Sequence, residues 1–494
     1  MDSLLSTPDY IIYYLFALPL LAAFAALLIR EERLQAGVVG LIGCTLLTFL
    51  IYFSAVLLWP LFAMDQAFKI WHFNLLPRVP VNFVIEPWGT LFALLVCFLW
   101  PLTTLYSYGY LKATKAKHRG RFHACFALAI FSVLGIAFSG NLITLFIFYE
   151  LLTLSTYPLV THDQTKEAIR AGRIYLAYLL STSLLLFLPA IIFTAQKAST
   201  FSFLPSGILE SNITPFAAGI LLFVYAYGIG KSALMPLHRW LPEAMVAPAP
   251  VSALLHAVAV VKGGVFTFIK IAVYVFGAEF LFQVAAAHWL SLVCALTVIL
   301  ASMQALRTTH IKTLLAYSTI GQLATILMMA CMATAPALQA AAVQLISHAL
   351  GKITLFFVAG AIISTTQYTT IDECKGLARR MPYTFAALVI GTLTMIGMPP
   401  TIGFLAKWMM FSAALDSMNI AVCFTLFVST LLNAFYFSNW VFICCKKPDA
   451  DKLIRRRDAP WSLRAALLIT AAACVILFFY PYPVLLLARQ FSVL

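Results

Sequence analysis

The chain has 494 residues, of which 63% are hydrophobic and only 10% charged, against about 25% charged in an average soluble domain. That composition excludes a soluble globular protein and predicts one polytopic helical membrane body, since no polar block is long enough to fold separately. A formal net charge of +14 would suggest nucleic acid as the partner of a soluble chain, but in a membrane protein the placement of charge matters more than its sum.

Apolar runs of about 20 residues predict 14 spans. They fall at 10–29, 37–59, 88–110, 122–139, 141–161, 172–195, 214–236, 250–277, 287–306, 312–333, 337–364, 383–414, 418–444 and 461–488. Spans 4 and 5 are separated only by Ser139, Gly140 and Asn141, the composition of a tight turn. No cleavable signal is expected, because Asp2 and Asp9 rather than basic residues precede the first apolar run. The ten cysteines scatter through apolar segments without CxxC or CxxxC spacing and read as small buried hydrophobes; the adjacent Cys444 and Cys445 are too isolated for a metal site.

Loops after odd-numbered spans hold 23 of the 32 Lys and Arg, including Arg30, Lys112, Arg121, Lys166, Lys375 and Lys447. The opposite loops hold only Lys69, Arg78, Lys197 and Arg489. The positive-inside rule makes the odd-to-even loops cytoplasmic and puts both termini outside, in a cell (inner, cytoplasmic) membrane. A miscounted span would have scrambled this alternation. The basic loops face anionic lipid and need no nucleic acid to explain them; Arg455, Arg456 and Arg457 offer a docking point for a partner subunit, with nothing specific in it.

Five basic residues remain inside spans: Lys231, Lys262, Lys270, Lys352 and Lys407, with Glu150 the one acidic residue deep within a span. His256 and His348 lie near these lysines in sequence. Intramembrane ionisable groups usually face a bundle interior or hydrated cavity and mark an ion or proton path, the alternative being an internal structural ion pair. Lys270 nears the outer end of its span and could instead snorkel to the interface. Counted by helix rise, Lys231 lies about two turns in from the cytoplasmic end. Glu150, Lys262, His348 and Lys352 fall near the middle and Lys407 toward the outer side, a staggered series across the membrane.

Desolvation and a nearby carboxylate act on a lysine in opposite directions, so a Glu150–Lys231 pair would hold the lysine charged until the pair separates. His348 and Lys352 are spaced i, i+4 on one helix face, where the imidazole can relay protons near neutral pH. No third ligand stands near them, so no metal is expected, and no cofactor either. Helix breakers flank the lysines: Gly228, Gly230 and Pro236 in YAYGIGKSALMP around Lys231, and Pro399, Pro400 and Gly403 in GMPPTIGFLAKW before Lys407. Broken spans are tolerated where they line buried or hydrated cavities, and two of them in corresponding halves suggest an internal repeat.

With these residues in view, the chain resembles the proton-conducting antiporter-like subunits shared by respiratory complex I, Mrp-type cation/proton antiporters and membrane-bound hydrogenases. The matching stretches are FYELLTLSTYPLV, GKSALMPLHRWLPEAMVAPAPVSALLHAVAVVKGG, HIKTLLAYSTIGQL, SHALGKITLFF and GMPPTIGFLAKW, covering spans 5 to 12. The resemblance implies an all-α fold of about 14 transmembrane helices in one domain, with inverted five-helix repeats at 122–277 and 287–444. Flanking helices occupy 1–110 and 461–494, and spans 7 and 12 are broken.

Carried over by motif, Glu150 and Lys231 look like the coupling pair and Lys262 like the central proton carrier. His348 and Lys352 look like the relay of the second repeat, and Lys407 like its terminal lysine. His256, Lys270, His310 and Lys312 are possible accessory positions; His310 stands where many relatives carry Asp. Family members work in assemblies and carry no redox centre of their own. Lys407, where the middle complex I subunits usually have Glu, together with PLHRWLPEAMVAP, looks closest to the D-type subunit of Mrp antiporters; longer C-terminal extensions mark the largest complex I and Mrp types. The expected function is therefore that of a proton-translocating subunit of a multisubunit sodium/proton antiporter. Alternatives are a proton-pumping subunit of an NADH:quinone oxidoreductase or energy-converting hydrogenase, a stand-alone solute carrier and a non-transporting scaffold.

Overall fold

The computed structural model describes residues 8–55, 68–76, 79–209, 213–447 and 458–493. The last residues of expected span 2, and Arg78, Lys452 and Arg455 to Arg457 of the charge count, lie outside them. Helices dominate, as the composition requires. The first six are α1 (Pro8–Leu28), α2 (Glu32–Phe53), α3 (Pro87–Ala113), α4 (Arg119–Ala137), α5 (Leu142–Val160) and α6 (Lys166–Ala198). There follow α7 (Pro215–Gly228), α8 (Ala249–Phe276), α9 (Ala285–Arg307), α10 (Ile311–Cys331) and α11 (Ala335–Thr366). The last five are α12 (Pro382–Ile396), α13 (Ile402–Asp416), α14 (Ile420–Cys445), α15 (Trp461–Phe479) and α16 (Tyr482–Val493).

Eleven of the described helices are long and apolar enough to cross a membrane. Three shorter apolar helices, Tyr13–Leu28, Pro215–Gly228 and Pro382–Ile396, fall in spans 1, 7 and 12, which completes the multi-pass body of 14 spans. Spans 7 and 12 are short because they break. Helix α7, at 14 residues, is only about 21 Å long, and the chain leaves it through a 3₁₀ turn, Gly230–Ser232. Span 12 stops at Gly397, whose φ of +86° is left-handed, and restarts at Ile402 as α13.

Two features depart from the expected map. Span 14, read as a single run over 461–488, is divided at Tyr480 and Pro481 into α15 and α16, since proline has no amide hydrogen to continue the ladder. Between spans 2 and 3 the chain forms an antiparallel hairpin, β1 (Phe68–Leu76) with β2 (Val79–Ile85). Its sequences are rich in β-branched and aromatic residues, and Val81, Phe83 and Ile85 alternate inward with the strand period of two.

The hairpin closes one end of the bundle. Val84 N–H donates to Phe138 O at 2.8 Å and Gly140 N–H to Asn82 O at 2.8 Å, fixing β2 on the tight turn between α4 and α5. Asn141 caps α5 by accepting from Thr144 N–H at 2.7 Å, while its Nδ2 donates to Pro80 O at 2.9 Å. Leu142 N–H to Phe201 O, and Ile208 N–H to Val275 O, bring the connection after α6 and the end of α8 into the same web.

Burial sorts the helices. α8, α10 and α11 are enclosed almost along their whole length, whereas α6, α14 and α15 present Leu184, Leu185, Phe424, Phe435, Phe442 and Ile476 outward. That ring of exposed apolar side chains is what a lipid-facing surface requires. α11 lies at the centre of the second half, packed on α10, α12, α13 and α15.

Candidate functional site

The break after α7 places Lys231 against the middle of α5. Once Gly228 ends the helix, the turn is pinned by Trp240 Nε1–H donating to Gly230 O at 3.1 Å and by Tyr227 Oη–H donating to Met235 O at 3.1 Å. The fully buried Lys231 Nζ donates to Tyr149 O at 2.8 Å and to Thr153 Oγ1 at 2.6 Å, and lies 3.2 Å from the centre of the Tyr149 ring. Lys231 N–H donates to Tyr149 Oη at 3.2 Å.

Glu150 follows Tyr149 in sequence, yet no ion pair forms between it and Lys231. Both Glu150 oxygens are buried without a hydrogen-bond partner. The residue itself is half-buried and shares its stripe of α5 with half-buried Ile143 and Ile147 and exposed Leu154. The carboxylate and the Lys231 ammonium thus lie on neighbouring elements without touching.

In α8 a wide turn over Leu254–Val258 and an irregular Ala259 precede Lys262. Lys262 Nζ lies 2.6 Å from His348 Nδ1 on α11, a contact between residues 86 apart in sequence and both buried. One turn beyond His348, Lys352 Nζ donates to Leu315 O at 2.9 Å and to Ser318 Oγ, both on α10. His256 is buried beside the Phe356 ring, with both ring nitrogens unpartnered and within electrostatic reach of Lys262, Lys352 and Lys312. Lys407, in the first turns of α13, donates to Thr430 Oγ1 on α14 at 2.6 Å.

The accessory positions separate. Lys312 is half-buried and donates to Ala247 O at 2.6 Å and Met245 O at 3.3 Å, holding the connection that joins the two lysine-bearing spans. His310 is exposed and contributes a backbone bridge to Thr370. Lys270 does not snorkel: it is buried and pairs with Glu86 at 2.7 Å while donating to Ser139 O at 2.6 Å.

Sequence reasoning missed Glu86, which reads as a loop residue two positions before span 3, and missed the oxygen partners Thr153, Ser318 and Thr430. Thr153 was the most accessible of these, because Tyr149 and Thr153 sit i, i+4 on the helix that carries Glu150. Among the described residues no group of three or more His, Cys, Asp or Glu is arranged to hold a metal.

Fold and site together define a class: a polytopic membrane subunit with two broken spans and a row of buried lysines, on those spans and on α8 and α11, held by helix carbonyls, hydroxyls and an imidazole. Residues 139–433 match the model of the NADH:quinone oxidoreductase/Mrp antiporter transmembrane family, and the chain belongs to that family. It is 31% identical over 377 residues to an NADH-quinone oxidoreductase subunit N from Desulforudis audaxviator, covering 73% of this chain and 72% of the relative. It is 31% identical over 352 residues to the Na(+)/H(+) antiporter subunit A1 of Staphylococcus aureus, covering 68% of this chain but 43% of that longer protein.

The same fold occurs in a subunit of the membrane-bound sulfane sulfur reductase, an archaeal respiratory membrane complex, with a TM-score of 0.85 at 24% identity. It occurs again in the Mrp complex from Dietzia sp., with a TM-score of 0.86 at 19% identity. Each of these covers 98% of this chain and 97% of the other.

Proposed function

We propose that this chain is a proton-translocating subunit of a multisubunit monovalent cation (sodium)/proton antiporter. The carrying observation is the 2.6 Å contact between Lys262 Nζ and His348 Nδ1, which joins the two lysine-bearing halves by a hydrogen bond along which a proton can move. Protons enter near Lys231 and Lys262, cross through His348 to Lys352 and leave past Lys407, or run in reverse. Glu150 serves with Lys231 as the coupling pair, the two meeting when the chain rearranges during transport.

In this reading 122–277 and 287–444 are inverted repeats with one broken span each. The basic loops face the cytoplasm, so the hairpin end and both termini face outward. Partner subunits are supported by the multisubunit membrane complexes in which the same fold occurs. The Mrp relatives support the antiporter assembly, and the match of Lys407 and PLHRWLPEAMVAP supports a D-type position in it. A second reading, a proton-pumping subunit of a quinone-reducing complex, is favoured by the likeness to subunit N over 72% of that relative.

The test is Lys231→Ala and Lys407→Ala in the complex purified from its source and reconstituted in vesicles. Cation-driven proton movement is expected to fall at least about tenfold in each, with co-purifying subunits unchanged, a loss typical of removing one proton-transfer group. Full activity in both assembled variants would end the relay reading. Proton movement driven by quinone reduction and not by a sodium gradient would select the second reading.

A further inference from the structure

The buried Lys270–Glu86 pair stands apart from the row just described, at the hairpin end of the bundle. Lys270 lies eight residues after Lys262 on α8, about 12 Å farther along the helix and roughly 80° around it. Glu86 occupies the residue before α3, where a carboxylate would normally cap the helix, but its side chain makes no cap hydrogen bond and turns to Lys270 at 2.7 Å. Ser139 O accepts from the same ammonium at 2.6 Å, and the rings of Phe203, Phe266 and Tyr274 surround it with centres 5.0, 5.8 and 5.9 Å away. The Tyr274 hydroxyl faces Glu86. One turn before Lys270, the Thr267 hydroxyl is buried without a partner.

A purely structural role explains this poorly. Replacing a buried ion pair with well-packed apolar residues is often neutral or stabilising, and the surroundings here are already bound together by backbone hydrogen bonds among β2, the Ser139–Gly140 turn and the end of α8. The pair adds to that web an amine and a carboxylate that can exchange a proton.

We propose that Lys270 and Glu86 form a second proton-release station, through which Lys262 exchanges protons with the hairpin face without using Lys407. The proposal rests on the relay reading above. In the forward step the Lys262 ammonium gives up a proton, carried by the Thr267 hydroxyl and water, to the neutral Lys270 amine. The Lys270 ammonium so formed pairs with the Glu86 carboxylate. Release to water at the hairpin face returns Lys270 to the neutral amine; one proton has moved and no electron has.

The decisive variant is Lys270→Arg in the full complex in vesicles. Arginine keeps the positive charge and can keep the Glu86 pair, but its guanidinium does not give up a proton. Proton flux is expected to fall at least about tenfold with assembly intact, whereas a structural tie would leave flux at the wild-type level. The apolar replacement Glu86→Leu with Lys270→Met decides the matter if the larger arginine disturbs packing: assembled complex with lost flux supports the station, and assembled complex with full flux overturns it. Failure of both variants to assemble also overturns it, since the pair is then a structural tie. Lys262→Ala, measured alongside, separates the two readings: full flux there overturns the relay itself, while lost flux there with full flux in the Lys270 variants overturns only this station.

Discussion

Replacing Gly264 with alanine is expected to stop proton movement in a complex that still assembles. Gly264 is where α8 touches the broken end of span 7: a Cβ added there would lie 2.7 Å from the Lys231 carbonyl carbon, 2.7 Å from Ser232 N and 2.8 Å from Lys231 Cβ. Ordinary contact for such atoms begins near 3.5 Å, so the turn would have to retreat by roughly 0.7 Å. It has nowhere to go, because its other side is packed against α6 and its carbonyl is tied to Trp240. Overpacking of this kind costs about 1–3 kcal/mol, small for a bundle of this size, but a shift approaching 1 Å at a reacting group can cost about a hundredfold in rate.

Lys231 Nζ is the group displaced, and its two oxygen partners at 2.6 and 2.8 Å leave no slack. The assay is decay of an imposed pH gradient in vesicles containing the complex, with subunit stoichiometry measured on the same preparation. Gly263→Ala is the matched control: its Cβ would meet only the movable ends of Leu152 at 3.2 Å and Ile136 at 3.5 Å. Wild-type flux in Gly264→Ala, or equal damage in both variants, would refute the claim that the position of Lys231 controls transfer.

Gly403→Ala is expected to prevent assembly rather than slow transport, since its Cβ would fall 1.9 Å from Thr394 O and 2.8 Å from the Thr394 carbonyl carbon, both backbone atoms of the opposing helix half; recovery of intact complex on a native gel checks this. His162, in the connection between α5 and α6, is held below its ordinary pKa of 6.5 by burial, with Asp163 opposing and Arg121 adding to the shift. The unfolded chain therefore binds a proton that the folded chain refuses, so stability is full above pH 6.5 and declines as pH falls through that value. His162→Gln is expected to flatten the fall in thermal midpoint between about pH 7 and 5, and an unchanged slope would assign the acid sensitivity elsewhere.

The spans were legible because membrane helices must satisfy their backbone internally, which forces long apolar runs punctuated by charge. The two breaks were legible for a related reason: glycine and proline beside a buried lysine are costly signals that a plain helix has no use for. The hairpin was not, since β1 and β2 occupy a connection whose alternation is masked by its overall hydrophobicity.

Glu150 shows the limit more sharply. Its place beside Tyr149 predicts a partner on span 7, and α5 does meet Lys231, but through the Tyr149 carbonyl and Thr153 hydroxyl. Which side of a helix a residue faces depends on packing, and an unbroken apolar helix with a polar residue at every third or fourth position leaves several faces open. Lys270 and Glu86 were separated for the same reason: they stand 184 positions apart in the chain, and only the close packing of α3 on α8 brings them to 2.7 Å.

The composition of the row argues for transfer over static charge. Lys231, Lys352 and Lys407 are held by carbonyl and hydroxyl oxygens and Lys262 by an imidazole nitrogen; none has a carboxylate within ion-pair distance. Two unit charges about 8 Å apart at an effective dielectric near 20 repel by about 2 kcal/mol. His348 touches Lys262 and precedes Lys352 by a single helical turn, so these groups are close enough for that repulsion to matter. In the proposed relay, a proton arriving at Lys262 would raise the cost of keeping one on Lys352 and so favour release down the row. A carboxylate paired with every lysine of the row would instead hold each proton longer at its site. On the proposed relay, the scarcity of acid along the row leaves each proton free to move on, and Lys270, a buried lysine that does face a carboxylate, stands at the hairpin end, where its proton would pass to water rather than to another lysine of the row.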